Sequence, residues 1–329
     1  MPSAFELPSS TPLAYFATLV QSDEDFPVLE AAASLAHDEE PTLDVQQVLD
    51  DVARLLKRVT ARMPDEADDL TRLAILTQVF YKDLGFGVNA NDYYAPENSY
   101  IFEVLRTRRG IPISLAVIWL ELARALELNA QGISFPGHFL VKVALEGGLV
   151  VLDPLTGESL GLDSLSERLS PFRDPADQSA APDLDDGETP LGLYLQACPP
   201  RDMLARMLRN LKEIFRSQED WPRMLQVLDR LVVLLPEVWT ERRDRGLVHE
   251  GHVQAVAEVL AEQLPIGVDG QLGAVDADQE LRRLDGQRRH GGGRQAVALA
   301  VDLRHPRRRA PGAPRGRPVY HAHPSFHPN

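Results

Sequence analysis

The chain has a single cysteine, Cys198, so an intrachain disulfide and a cysteine-rich zinc site are both excluded. Basic charge is scarce: 34 Lys and Arg stand against 49 Asp and Glu, a formal net charge of −15. A body of that sign disfavours polyanionic partners, because nucleic-acid binding relies on clustered Lys and Arg to displace counterions. The first twenty residues have neither a basic start nor a continuous apolar block, and no run of about 18 apolar residues occurs anywhere. The expectation is a cytoplasmic protein that binds neither nucleic acid nor membrane through its body. With 329 residues, 44% of them hydrophobic, there is material for a sizeable core and about two domains.

What the chain does have is a stretch from Gly110 to Asp153 that changes period midway. Gly110 interrupts the preceding segment and Pro112 suits a first helical turn, where a missing N–H costs nothing. Leu115, Ile118, Trp119, Leu122, Ala125 and Leu126 then fall at three- and four-residue spacing, the mark of a buried helical face. From His138 the period drops to two, with Leu140 and Lys142 alternating with Phe139, Val141 and Val143; Glu146-Gly147-Gly148 turns the chain into Leu149–Leu152. That reads as a β-hairpin with a His at its head and Asp153 at its close.

Upstream, apolar residues at helical spacing predict helices over 11–64 and from Asp68 to about Lys82. The polar loop Asn91–Ser99 carries Tyr93 and Tyr94, which either pack the loop or rim a cleft, and Asn98-Ser99 are placed to cap a short helix from Tyr100 to Thr107. Downstream, Asp163–Leu169 predicts one more short helix, and the segment after Pro171 is too rich in Asp, Glu and Pro for a core element. A helical period returns at Met203 and runs through Leu208, Leu211, Phe215, Met224, Leu228 and Leu231 to Pro236, the spacing of a 34-residue tetratricopeptide unit. A second, shortened unit is expected from Arg242 to Pro265. Residues 266–329 hold eleven Arg, no Lys and five of the nine His, with no sustained apolar period. This composition predicts a disordered or out-of-frame tail. His321, His323 and His327 have metal-ligand chemistry but no Cys, Asp or Glu in an ordered frame, so no metal or cofactor is expected.

Four segments, in this order, carry a resemblance: Asn91–Tyr100, Arg109–Leu115, Phe135–Leu140 and Leu152–Pro154. Together they resemble the transglutaminase-like core of papain-type thiol enzymes, and more closely the bacterial SirB-type proteins, which join such a domain to tetratricopeptide helices. The resemblance implies an α+β fold: a transglutaminase-like domain over 1–170 with a helical N-terminal layer and a small antiparallel sheet, an acidic linker over 171–200, and a helical module over 201–265. Aligning Gly110 with the family glycine places Pro112 where the nucleophilic cysteine of active members sits. Proline has no nucleophile, which leaves His138 and Asp153 as an orienting pair with nothing to activate, or as a structural hydrogen bond.

Ser114 is no substitute: two helical residues turn about 200°, so it points away from the direction of Pro112 and is expected to bond backbone. Cys198, beside Pro199-Pro200, reads as an incidental thiol. The implied cleft residues are therefore His138 and Asp153, with Tyr93, Tyr94, Asn98, Ser99, Pro112 and Ser114 around them. The function expected is a protein- or peptide-binding module on a catalytically degenerate fold; the alternative is a hydrolase or acyltransferase using His138 and Asp153 without a thiol.

Hairpin parity sharpens this. If Glu146-Gly147 form a two-residue loop, Asp153 falls opposite Leu140 and one diagonal step from His138 on the same face; a Gly147-Gly148 loop puts it opposite Lys142, and a three-residue loop puts the two on opposite faces. The Glu146-Gly147 register, or a bulge equivalent to it, is the expectation.

Overall fold

The best-buried element is a helix with hardly a polar residue on any side, and the rest of the chain is wrapped around it. In the computed structural model, which describes residues 11–172 and 191–263, this helix is α6 (Pro112–Ala125). Ten of its residues are buried, among them Ile113, Leu115, Ile118, Trp119 and Leu122. A helix apolar all round belongs in the interior.

Five helices precede it: α1 (Pro12–Leu19), α2 (Val28–Ser34, continued by a 3-10 turn to Asp38), α3 (Val45–Thr60), α4 (Asp69–Thr77) and α5 (Ile101–Thr107). The start of α3 is fixed by Asp44, whose carboxylate accepts the Gln46 N–H at 2.9 Å. Its Val45, Val48, Val52, Leu55 and Val59 then face inward at helical spacing. Asp68 caps α4 in the same way through Thr71, and α4 runs on through a π-helical stretch to Asp83 that buries Val79 and Phe80. The short helix α5 begins at Ile101 with Tyr100 at its cap position and no side-chain cap. The capping expected of Asn98-Ser99 is not made: Asn98 Oδ1, the atom that would accept a helix N–H, accepts instead from Asn89 Nδ2 at 3.1 Å. Helix α5 ends on Arg108 in a left-handed conformation, which turns the chain into the two-residue strand β2 (Arg109–Gly110), parallel to β1 (Gly87–Val88).

Beyond α6 lies a three-stranded antiparallel sheet, β3 (Ala130–Ile133), β4 (Leu140–Leu145) and β5 (Gly148–Leu152), in the order β3-β4-β5. The alternation of strand side chains divides it between two cores. Phe139, Val141, Val143 and Leu152 join the main core with α6, whereas Ile133, Leu140 and Val151 pack with Leu165 and Leu169 of α7 (Leu162–Leu169) and with Leu191 and Tyr194 of α8 (Leu191–Tyr194).

Helices α9 (Pro200–Ser217) and α10 (Trp221–Leu234) form the next pair, followed by α11 (Trp239–Gln263). Met203, Leu204, Met207, Leu208, Leu211 and Phe215 are buried along α9. That face packs on α2 and α6, while α10 packs on α1. Arg201 ties the three ends together by donating to the carbonyls of Val20 and Leu234, each at 2.8 Å. The expected second, shortened helix pair is not formed: α11 is one uninterrupted helix from Trp239 to Gln263. The acidic segment from 173 to 190 and the tail from 266, with its histidines, lie outside the described residues.

Candidate functional site

The turn that presents His138 follows from its sequence. In Phe135-Pro136-Gly137-His138 the His138 N–H donates to the Phe135 carbonyl at 3.1 Å and Gly137 has φ +68°. Pro at the second position and a positive-φ Gly at the third are the requirements of a type II turn. A side chain on Gly137 would also collide with the ring of Phe172. His138 therefore sits two residues ahead of β4 rather than within it.

The other partner arrives through the hairpin. Leu145 pairs with Gly148 and Val141 with Leu152, so the connection is the two-residue loop Glu146-Gly147 and Asp153 follows directly after the Leu152 pairing. His138 Nε2 lies 3.0 Å from Asp153 Oδ1. The same oxygen accepts the Leu155 N–H at 3.0 Å, closing a tight turn, and Oδ2 lies 3.1 Å from Arg168 Nη2 on α7. Burial pushes the Asp153 carboxyl up, but the hydrogen bond and charge of His138, the Leu155 N–H and the Arg168 guanidinium outweigh it and hold the group below the usual carboxylate range. An ionised carboxylate only accepts hydrogen bonds, so Nε2 carries a proton towards Asp153, and in the neutral form of the ring the lone pair stands at Nδ1. Nδ1 has no hydrogen-bond partner among the described residues.

His138 lines a cavity of about 290 Å³ with Ile111, Pro112, Ile113, Gly137, Phe139, Tyr93 and Tyr94. Its remaining wall is α9, which contributes Arg206, Asn210, Glu213, Ile214 and Ser217, one face of a helix by their spacing. Tyr94 is 75% exposed and Tyr93 40%, their rings edge to face at 5.3 Å, so both stand at the rim.

Asn98, Ser99 and Ser114 lie beneath this wall, not on it, and all three are buried. Asn98 holds the tyrosine loop by donating to the carbonyls of Asp92 (2.6 Å) and Tyr93 (3.1 Å). Ser114 donates to the Asn98 carbonyl at 2.6 Å and accepts the Ile111 N–H at 3.1 Å. Gly110 leaves room for this, since a Cβ there would come within 2.7 Å of Ser114 Oγ.

Cys198 is in a different place. It is buried beside the edge strand β3, where its N–H donates to the Gly132 carbonyl at 2.8 Å, and it borders a separate cavity between α2, α6 and β3. Burial and the nearby Asp202 carboxylate push its thiol up to about 11, against a smaller opposing effect of Arg206, so it stays protonated at neutral pH. Among the described residues no group of three or more His, Cys, Asp or Glu is placed to hold a metal ion.

Sequence reasoning missed Arg206. It is a polar-face residue of α9, and nothing in its spacing separates it from solvated arginines such as Arg216. Its guanidinium reaches across to the His138 turn, donating to Ser134 Oγ at 2.8 Å, the Phe135 carbonyl at 3.3 Å and the His138 carbonyl at 2.9 Å.

Comparison with known proteins agrees with this architecture. Residues 46–209 match the transglutaminase-like superfamily and residues 211–262 a tetratricopeptide repeat. The chain is 35% identical over 232 residues to a UPF0162 protein of Xylella fastidiosa strain Temecula1, spanning 69% of this chain and 78% of the relative. It is 25% identical over 205 residues to protein SirB1 of Salmonella typhimurium, spanning 62% and 72%. It is also 25% identical over 210 residues to the UPF0162 protein YchA of Escherichia coli K12, spanning 64% and 73%. No solved structure matches the chain significantly. Through these relatives and the order of its two domains, the chain belongs to the SirB1/UPF0162 family, in which a transglutaminase-like domain is followed by tetratricopeptide helices.

Proposed function

We propose that the chain is a cytoplasmic protein-interaction module whose His138 cleft binds a peptide segment, on a transglutaminase-like fold without thiol catalysis. The transglutaminase-like domain spans 1–170 in this reading, and the helical module at 201–265 supplies the opposite wall. The observation that carries it is the wall beside His138: Pro112, which in this reading stands where the family has its nucleophile, lines the same cavity as His138, while the chain's single thiol is buried elsewhere and protonated. With Ile111, Ile113, Phe139 and Ile214 as walls, about 290 Å³ accommodates one or two apolar side chains of a ligand. The unpartnered Nδ1 supplies a hydrogen-bond acceptor for a backbone N–H, and the tyrosine rim offers amphipathic contact area at low entropic cost.

The test is selection of peptides from a display library on the immobilised full chain, followed by fluorescence titration of the best binder. Ile214→Glu, which puts a charge on the apolar wall, should weaken binding tenfold or more. A binder indifferent to Ile214→Glu and to His138→Ala would place recognition elsewhere.

A second reading, hydrolysis or acyl transfer with His138 activating water, is favoured by the one feature a binding site does not require, an ionised Asp153 orienting a free Nδ1. Turnover of amide or ester substrates by the full chain that disappears in His138→Ala would decide for it.

A further inference from the structure

We propose that Arg206, on α9, is the positioning residue that holds the His138 imidazole in register with Asp153. The proposal rests on reading the His138 cleft as the binding site, and it concerns how that site is assembled and controlled.

The argument starts from the turn. A four-residue turn is pinned by one backbone hydrogen bond, here His138 N–H to the Phe135 carbonyl, and its middle residues have no ladder partners. Arg206 spans both ends of this turn. One nitrogen, Nη1, reaches Ser134 Oγ and the Phe135 carbonyl, and the other, Nη2, reaches the His138 carbonyl at 2.9 Å. The guanidinium carbon lies 5.6 Å from the ring centroid of Phe139, the residue that follows. Contacts on residues 134, 135, 138 and 139 fix the turn from a helix more than sixty residues further along the chain. A planar fork with donors on both arms is what this geometry needs; an ammonium group reaches one carbonyl or the other.

The position of α9 itself does not depend on Arg206. The opposite face of the helix is anchored by Met203, Leu204, Met207, Leu208 and Leu211 in the main core, and by Arg201 to Val20 and Leu234. Removing the fork therefore frees the turn without freeing the helix. A ligand that draws α9 away, or presses it closer, acts on the imidazole through the same fork.

The experiment is long-range proton–nitrogen correlation NMR of the full chain labelled with 15N-histidine, with His138 assigned from His138→Gln and no ligand present. Wild type should show His138 as the Nε2–H tautomer. In Arg206→Met and in Arg206→Lys the ratio of Nε2–H to Nδ1–H should fall about tenfold, as expected when a hydrogen bond to a charged group is lost. Amide protection along α9 should stay unchanged. Wild-type His138 signals in both variants overturn the proposal, as does a change that appears only together with lost protection of α9. If Arg206→Met does not fold, Arg206→Lys, which keeps the stem and charge, decides alone: unmoved His138 signals refute the positioning role. Because no ligand enters, this result stands apart from the peptide-binding test.

Discussion

Replacing Asp153 by Asn changes one atom and tests the electrostatics of the whole site. The carboxylate is buried, its side chain 6% exposed, and faces three donors: His138 Nε2, the Leu155 N–H and Arg168 Nη2. An asparagine oxygen can still accept from Leu155 and His138, but the amide nitrogen then points at Arg168, donor against donor. The loss is one charge-assisted contact and the weakening of another, each worth about 1.5–3 kcal/mol when fully desolvated. The His138 and Arg168 side chains keep 18% and 35% exposure, which screens both. A net cost of about 2 kcal/mol follows, lowering the thermal midpoint by about 4–8 °C for a domain of this size.

The pH dependence fixes the sign. The folded-state pKa of Asp153 is depressed, so its contribution is fully present above the unfolded value of about 3.9 and is lost as pH falls through the folded value. Urea unfolding of wild type and Asp153→Asn should therefore differ by about 2 kcal/mol at pH 7, and the gap should close below about pH 4. A gap under about 0.5 kcal/mol at pH 7, or one that does not shrink as pH falls below about 4, would show the carboxylate to be unpaired or its partners to be wrong.

Two further substitutions test the supports of the cleft. Phe215 is 1% exposed on α9, packed in the core and with Arg223 5.6 Å over its ring, so Phe215→Ala should cost about 3–5 kcal/mol by urea unfolding; a loss under about 1 kcal/mol would contradict the docking of α9 and α10. Gly137→Ala forces a Cβ into positive φ and against Phe172, for an expected loss of about 1–2 kcal/mol, and a variant as stable as wild type would exclude the type II turn at His138.

What the sequence made legible was whatever has a strong period. The apolar run of α6 is legible, and hairpin parity puts Asp153 opposite Leu140 once the loop is Glu146-Gly147 and not Gly147-Gly148, the register that the Leu145–Gly148 pairing has. Strand β3 was not visible: Ala130-Gln-Gly-Ile has one β-former in four and no alternation, and it becomes a strand only because β4 offers it a ladder. Asn98 looked like a helix cap because its position suited one, yet its Oδ1 accepts from Asn89 Nδ2 while its amide nitrogen donates to the carbonyls of Asp92 and Tyr93, so the side chain ties the tyrosine loop and not the helix. A second repeat unit is expected from Arg242 to Pro265, but α11 runs on unbroken, since Gly246 and Gly251 each lower helical propensity by about 1 kcal/mol without ending the helix.

The two members of the pair at the cleft are not equivalent, and the difference says where function has to be sought. Asp153 has structural work with or without an imidazole: its carboxylate closes the turn at Leu155 and pairs with Arg168, its backbone N–H and carbonyl bond Glu158 and Gly157, and Tyr81 donates to the next carbonyl at 3.1 Å. The fold alone accounts for an acid at this position. The His138 side chain has one hydrogen-bonding partner among the described residues, Asp153, and the residue lines the cavity. The packing needs a turn at 135–138 but not an imidazole at its end, since the hydrogen bonds that hold that turn are made to the backbone of His138. On the proposed reading of the cleft, a polar residue placed at the cavity wall, with its tautomer set by a buried carboxylate, is accounted for by the ligand.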